Sequence, residues 1–233
     1  MLRAELVLGW VRGPSVLDVG CAAHVPEPGS PYWVHGRLRE KFPQVSGLDI
    51  SERNIDFLRQ RGFDNLFVAN AETFTLPGKF DTVFSGELIE HLSNPAAFLD
   101  RAKHHLAEGG RVVLTTPYPF ALLYQAYAFM KFPKTCQNPE HTCWFCPQTL
   151  TVLAERVGMR VVHWELVEDY RLDDPSWKYR MFVRLVRWFR WLIPRRIRNN
   201  TLVCVLEPAG AQAGPNLSPP GEERRPPPPP SHD

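Results

Sequence analysis

The nine residues Val16-Leu17-Asp18-Val19-Gly20-Cys21-Ala22-Ala23-His24 constrain the fold more than any other stretch of this chain. Apolar residues interleaved with one acid and released into a glycine turn describe a buried parallel strand that stops and hands its carboxyl end to a ligand. Gly20, without a Cβ, lets a ligand approach the backbone closely and tolerates unusual dihedrals. Asp18 stands two residues earlier, where its carboxylate can meet a cationic or hydroxyl-bearing group at the strand tip. Alone, the pattern is common in α/β chains. A second run, Val45-Ser46-Gly47-Leu48-Asp49-Ile50, ends in Asp49 about thirty residues later, where a βαβ unit places an acid that accepts hydrogen bonds from ribose hydroxyls. Together the two runs point to a nucleoside bound at the carboxyl ends of the strands.

A dinucleotide would require G-x-G-x-x-G, so that a helix N-terminus could hold the pyrophosphate. Gly20-Cys21-Ala22-Ala23-His24-Val25 does not supply it. Asp18 is also poorly placed against a diphosphate and well placed for the cationic amino-acid end of S-adenosylmethionine (SAM). Here the stretch resembles the first motif of the class I SAM-dependent methyltransferases, which commonly reads as an acid, any residue, then three alternating glycines. Asp18 and Gly20 are kept, while Ala22 and His24 stand at the next two glycine positions. The resemblance implies that Asp18 and Gly20 hold the methionine part of SAM, Asp49 the ribose and Glu72 the adenine. Cys21, Ile50, Ala71 and Ser85 complete the implied cofactor site. Asn70 occupies a position where that family often has a carboxylate.

A chain of 233 residues with 44% hydrophobic content can bury one substantial α/β core. We expect one domain over residues 1–208. The formal charge of +2 is nearly balanced and argues against nucleic acid as a partner. Five cysteines, an odd number at scattered positions, do not read as a disulfide framework, and no signal-like run precedes Val16, so a reducing cytoplasm is expected.

After the proline-rich loop 24–31, Tyr32 to Lys41 reads as a helix with Trp33 and Leu38 inward; His35 and Arg37 look either into the cofactor cleft or, the preferred reading, out from an exposed face. Ser51 is a good N-cap for a helix over Glu52 to Arg61, closed by Gly62. Strands are expected at Asn65 to Asn70, Phe80 to Gly86, Arg111 to Pro117, Arg160 to Val167 and Thr201 to Glu207. Helices are expected at Ala96 to Leu106, Pro119 to Lys131 and Gln148 to Val157. His104 and His105 read as structural. The alternation predicts an α/β fold, a doubly wound Rossmann-like sheet that is mostly parallel with an antiparallel last strand.

The fourth strand delivers Glu87-Leu88-Ile89-Glu90-His91-Leu92-Ser93-Asn94-Pro95. If Glu87 begins a helical turn, Glu90 and His91 lie at i+3 and i+4 and share its face. This pattern resembles an E-x-x-E-H subgroup of the methyltransferases that includes ubiquinone-pathway O-methyltransferases and many small-metabolite enzymes; the resemblance covers Val16 to about Pro117. On that basis His91 is the expected general base, oriented by Glu87. A metal-assisted version has Glu87, Glu90, His91 and His141 bind Mg²⁺, a set that resembles the one used by small-RNA 2′-O-methyltransferases. A zinc site from Cys136, His141, Cys143 and Cys146 is the weaker reading, because one short loop rarely wraps a tetrahedral ion.

Between the last two strands lies an insertion, 168–200, with a helix-like, densely aromatic segment from Ser176 to Ile193. Arg180, Arg184, Arg187 and Arg190 form a basic stripe, with Trp188, Phe189, Trp191, Leu192 and Ile193 in the apolar remainder. Two readings stand side by side. Residues 176–198 make a peripheral contact with anionic lipid at the inner face of a membrane, or a lid for an apolar substrate; alternatively the helix packs on its own domain or a second subunit. Residues 209–233 read as a disordered proline-rich tail. The expected activity is SAM-dependent O-methylation of a small-molecule or lipid-like acceptor. The rivals are a Mg²⁺-dependent 2′-O-methyltransferase acting on RNA, a SAM-binding protein without turnover, and a nicotinamide oxidoreductase, which the missing glycines contradict.

Overall fold

Seven strands form one sheet in the order β3-β2-β1-β4-β5-β7-β6. The computed structural model describes residues 3–22, 28–30, 32–131, 138–170 and 177–210. In chain order the elements are α1 (Arg3–Trp10), β1 (Ser15–Val19), α2 (Val34–Lys41), β2 (Gln44–Asp49), α3 (Glu52–Arg59), β3 (Leu66–Val68) and β4 (Phe80–Gly86). A 3₁₀ turn over Ile89–His91 follows, then α4 (Pro95–His104), β5 (Leu106–Pro117), α5 (Leu122–Lys131), α6 (Pro147–Arg156), β6 (Met159–Val167), α7 (Trp177–Trp188), α8 (Arg195–Arg198) and β7 (Thr201–Pro208).

The first five strands pair in parallel, and their largely buried residues fit strands covered on both faces. The last strand is antiparallel, as expected. With β6 it forms an antiparallel pair at the sheet edge, in which β6 is outermost and β7 lies between β5 and β6, antiparallel to both. The residues of β1 alternate between two cores. Leu17 and Val19 face one layer with Phe98 and Leu99 of α4 and Leu150 and Ala154 of α6. Val16 faces the other with Val7 and Leu8 of α1 and Leu38 of α2. The helices therefore cover both faces, and every carboxyl end of β1, β2, β4 and β5 opens on the same side.

Element boundaries depart from the sequence reading for local reasons. β3 is short because Asn65 adopts φ +55° and the Asn70 side chain accepts a hydrogen bond from the backbone N–H of Glu72, which turns the chain. β5 starts at Leu106, ahead of the expected Arg111: a register shift between Phe80 and Thr82 lets the Glu108-Gly109-Gly110 stretch stay within the strand. Ser51 caps α3 through Asn54 N–H, and Gly62 follows at φ +82°, both as expected. His105 is buried, stacks on Phe74 and accepts from Leu76 N–H, which fits its structural reading.

The 168–200 insertion is pinned at its base. Glu168 pairs with Arg198, Asp169 N–H donates to Asn200 Oδ1 at 2.7 Å, and the Tyr170 hydroxyl donates to the Arg198 carbonyl. Its helix α7 packs with α5 in a small separate core of Leu123, Tyr170, Val183 and Val186. No helix among the described residues is long and apolar enough to cross a membrane. Ala23, His24, Cys136, residues 171–176 and the tail beyond 210 lie outside the described residues, and with them the third glycine position of the first motif and one proposed zinc ligand.

Candidate active site

Two turns meet where β1 and β4 end. The first, Gly20 to Ala22, is held from three sides. Gly20 N–H and Cys21 N–H both donate to the Leu48 carbonyl at 2.7 and 3.2 Å, and Asp49 Oδ2 accepts from Ala22 N–H at 2.9 Å. Asn54 Nδ2 donates to the Ala22 carbonyl at 2.8 Å, and Trp33 Nε1 to the Cys21 carbonyl at 2.9 Å. Gly20 itself takes φ +85°, a conformation that favours glycine. A Cβ there would touch the Leu88 side chain at 3.4 Å, so this turn and the E-x-x-E-H turn are packed against each other.

Asp49 is tied into the fold by both oxygens, since Oδ1 also accepts from Ser51 N–H at 2.9 Å. Each carboxylate oxygen keeps a further lone pair for a ligand hydroxyl. Ile50, the next residue, is 70% exposed beside it, an apolar surface suited to a flat base. Ala71 is buried nearby. Glu72 is partly committed elsewhere: its Oε1 accepts from Asn94 N–H at 2.8 Å at the start of α4. Ser85 Oγ and Thr115 Oγ1 are buried with no hydrogen-bond partner among the described residues, at the ends of β4 and β5. A cradle over glycine, a ribose-type acid, an exposed aliphatic side chain and two orphan hydroxyls fit SAM in composition.

Asp18 is more deeply placed than a strand-tip ligand would be. Its Oδ2 is 3.0 Å from His35 Nδ1, and both side chains are buried. His35 therefore lies inward, which corrects the expectation of an exposed helix face. It shares a face with Leu38, three residues on, and packs where Gly47 has no Cβ: a methyl there would come within 2.8 Å of His35 Cε1 and 2.7 Å of Cys21 Sγ. Burial raises the Asp18 pKa against the opposing pull of His35, and the nearby Asp49 adds to the rise. Burial, with Asp18 and Asp49 behind it, pushes the Cys21 thiol well above its ordinary value, so Cys21 stays a neutral thiol.

The second turn differs from the expected helix start. Glu87 adopts φ +50°, rare for a residue with a side chain, and its N–H donates to the Thr115 carbonyl at 2.9 Å. The helical geometry begins only at Ile89 and is 3₁₀. Glu90 is 1% exposed and accepts from Thr116 Oγ1 at 3.0 Å. The loop that follows α5 is stitched across this turn: Thr142 N–H donates to the Glu90 carbonyl at 2.8 Å, and Thr142 Oγ1 reaches the Leu92 carbonyl at 2.7 Å. That stitching brings His141 against His91 with ring centroids 4.7 Å apart. One ligand atom each from Glu90, His91 and His141 lies within 4.8 Å of the others, the metal-capable group found among the described residues. Glu87, Cys143 and Cys146 are not in that group. The thiol of Cys143 faces the backbone carbonyls of Ile89 and Glu90, and that of Cys146 faces Thr149, so neither is turned to a shared ion with His141.

Burial and the neighbouring His91 lower the His141 pKa, with Glu87 and Glu140 opposing. His141 Nδ1 is buried with no hydrogen-bond partner among the described residues. Trp144 stacks edge-on to His141 and to Tyr124 of α5, both at 5.2 Å between centroids, and burial together with Glu87 and Glu90 raises the Tyr124 phenol pKa. Sequence reading did not single out Thr116, Tyr124, Thr142 or Trp144.

Residues 5–164 match a family model described as a methyltransferase domain. A ubiquinone biosynthesis O-methyltransferase of Azoarcus sp. (strain BH72) is 25% identical over 176 residues, 67% of this chain and 71% of that protein. A tRNA U34 carboxymethyltransferase of Alteromonas mediterranea is 28% identical over 183 residues, 70% of this chain but half the length of that protein. The crystal structure of a SAM-dependent methyltransferase from Archaeoglobus fulgidus superposes with a TM-score of 0.62 at 20% identity, covering 88% of this chain and 90% of that one. The glycine turn and the ribose-type acid thus lie inside the matched span, and this chain belongs to the class I SAM-dependent methyltransferase family.

Proposed function

We propose that the chain transfers a methyl group from SAM to an oxygen of a small-molecule or lipid-like acceptor, with His91 and His141 serving the acceptor's proton. The observation that carries this is the pairing of two imidazoles over the buried Glu90 carboxylate, next to the glycine turn. The O-methyltransferase name of the Azoarcus relative supports an oxygen acceptor. Bound SAM supplies an electrophilic methyl on a sulfonium. Asp18 and Gly20 would hold its methionine part, Cys21 and Ser85 the same cradle, Asp49 and Ile50 the ribose and base, Ala71 and Glu72 the adenine edge. The protein's work is alignment and proton removal. His141 is kept neutral by burial and by His91, so one imidazole of the pair can accept a proton while the other carries it away. Glu87, held in its unusual backbone conformation at the turn, is the proposed partner that orients His91.

A metal-assisted version is favoured by one observation, the orphan Nδ1 of His141 within the Glu90, His91 and His141 group. Two imidazoles and one carboxylate form a borderline donor set, better suited to Zn²⁺ or Mn²⁺ than to Mg²⁺, which takes oxygen ligands. A divalent ion held there would lower the acceptor hydroxyl's pKa. RNA as acceptor remains the rival substrate, in view of the tRNA-modifying relative. Peripheral contact through residues 176–198, in the cytoplasm at the inner face of a membrane, belongs to the lipid-like reading.

The test is transfer of labelled methyl from SAM into a cell extract, with and without chelator, followed by separation into organic, small-metabolite and RNA fractions. Label in the organic or small-metabolite fraction is expected. Label confined to RNA and lost with chelator would replace this proposal with the metal-dependent RNA reading, and binding of S-adenosylhomocysteine (SAH) with no label anywhere would favour a protein without turnover.

A further inference from the structure

Helix α7 has two apolar faces. Phe182, Val183, Val186 and Tyr179 pack inward on Leu123 and Tyr170. Trp177, Met181, Leu185 and Trp188 are exposed, at spacings of four, four and three residues. At about 100° per residue, those four span an arc of roughly 80° on the side away from the domain core. The exposed apolar surface continues past the helix end: Trp188 is 77% exposed and Trp191 76%, with Phe189, Leu192 and Ile197 also open to solvent. Cations border this arc on both sides. Lys178 lies on one flank and Arg184 and Arg187 on the other, with exposed Arg190, Arg195 and Arg196 beyond the helix end. From Trp177 through Arg198 there are eight Lys or Arg residues and no acid.

We propose that this outer face is a docking surface for an anionic phospholipid bilayer, on which α7 lies in the interface plane with Trp177, Trp188 and Trp191 at headgroup depth and the arginines on lipid phosphates. The observations select this occupant by charge and by residue type. Tryptophan with a polar ring N–H prefers the interface, arginine pairs with phosphate in a bidentate manner, and a segment without acids meets no repulsion from an anionic surface. The helix is too short and too charged to cross.

Docking also reaches the site. The inner face of α7 packs on α5, whose Tyr124 meets Trp144, which in turn meets His141 and through it His91. An acceptor dissolved in the bilayer would enter beside that chain of rings. The purpose of docking rests on the lipid-like acceptor proposed above, but the binding itself does not.

The experiment is sedimentation of the full chain with vesicles of phosphatidylcholine alone and with phosphatidylglycerol added, at low and high salt, alongside SAH binding. Binding to the anionic vesicles, weakened by salt, is expected. The triple change Arg184→Gln, Arg187→Gln and Arg190→Gln should lower vesicle partitioning on the order of a hundredfold, and Trp188→Ser with Trp191→Ser about tenfold or more. All five positions are exposed, so melting temperature and SAH affinity should stay at the parent values. Equal binding to neutral vesicles, or no binding by protein that still binds SAH, would overturn the proposal. So would a stable self-association in the absence of vesicles that Trp188→Ser abolishes, because the face would then belong to a second copy. Vesicle binding without methyl transfer to any lipid would leave docking standing and remove the acceptor reading.

Discussion

Removing the His35 side chain tests whether Asp18 is held as a buried ion pair beneath the cofactor turn. The pair is 3.0 Å apart, with side chains 0% and 4% exposed. His35→Leu leaves a buried carboxylate without its imidazole. Breaking a buried pair from one side costs about 3–5 kcal/mol, whereas Asp18→Asn leaves a neutral amide and costs about 1–2 kcal/mol. In the double variant the charge is gone, so its cost falls below the sum of the two by at least about 1 kcal/mol. For a chain of this size the His35→Leu deficit corresponds to a drop of roughly 6–20 °C in melting temperature. Its pH dependence follows from the raised Asp18 pKa. A carboxyl with a folded pKa above its unfolded value contributes stability fully present below the unfolded value and lost as pH rises through the folded one. Loss of His35 raises the folded value further, so the deficit should be smaller at pH 5 than at pH 8. Denaturant melts of the parent, both single variants and the double, at both pH values, measure all of this. Additive costs within about 0.5 kcal/mol, with a deficit independent of pH, would refute the ion-pair account.

Gly47→Ala should cost about 1–3 kcal/mol and weaken SAH binding with it, since the new methyl would lie 2.7 Å from Cys21 Sγ and Leu66 Cδ2; thermal melts and calorimetry check both. His91→Gln and His141→Gln should each lower methyl transfer by about 10²–10⁴-fold while leaving SAH affinity near the parent value. Because burial and His91 lower the His141 pKa, the acid limb of kcat/KM should fall below the ordinary histidine range: activity is present above that lowered value and lost as pH drops through it, and a pH profile of the parent checks it against His91→Gln, in which the limb should move back up.

The parallel part of the sheet was legible because strands buried on both faces leave short, mostly apolar runs such as Val16 to Val19, broken only by Asp18, and Val112 to Leu114. Asp49 was legible from its position after such a run. The antiparallel last strand was foreseen but its place between β5 and β6 was not, because strand order among neighbours of equal burial is set by tertiary packing. Glu87 illustrates a deeper limit. A left-handed glutamate after Gly86 has no marker in the sequence, yet the helical geometry then starts only at Ile89, so the i+3 and i+4 spacing no longer sets Glu90 and His91 on a common helical face with Glu87. His141 was placed near His91 by analogy alone; the physical reason, Thr142 bridging to the Glu90 and Leu92 carbonyls, appears only in three dimensions. His35 did leave a signal, sharing a helix face with Leu38, but a polar residue on a short helix ordinarily points outward. In α7 the arginine spacing was visible, whereas the division of the apolar residues into an inner and an outer arc depends on where α5 lies.

The most direct test of the account is calorimetry of SAH with the parent chain and with Asp49→Asn, a change that keeps the shape of the side chain and one of its two acceptor oxygens. The account predicts one site per chain in the parent and an affinity at least about tenfold lower in a variant that still melts cooperatively. Equal affinity in the two proteins would mean that the adenosyl group does not lie at Asp49, and the assignment of the glycine turn as the cofactor's floor would fall with it.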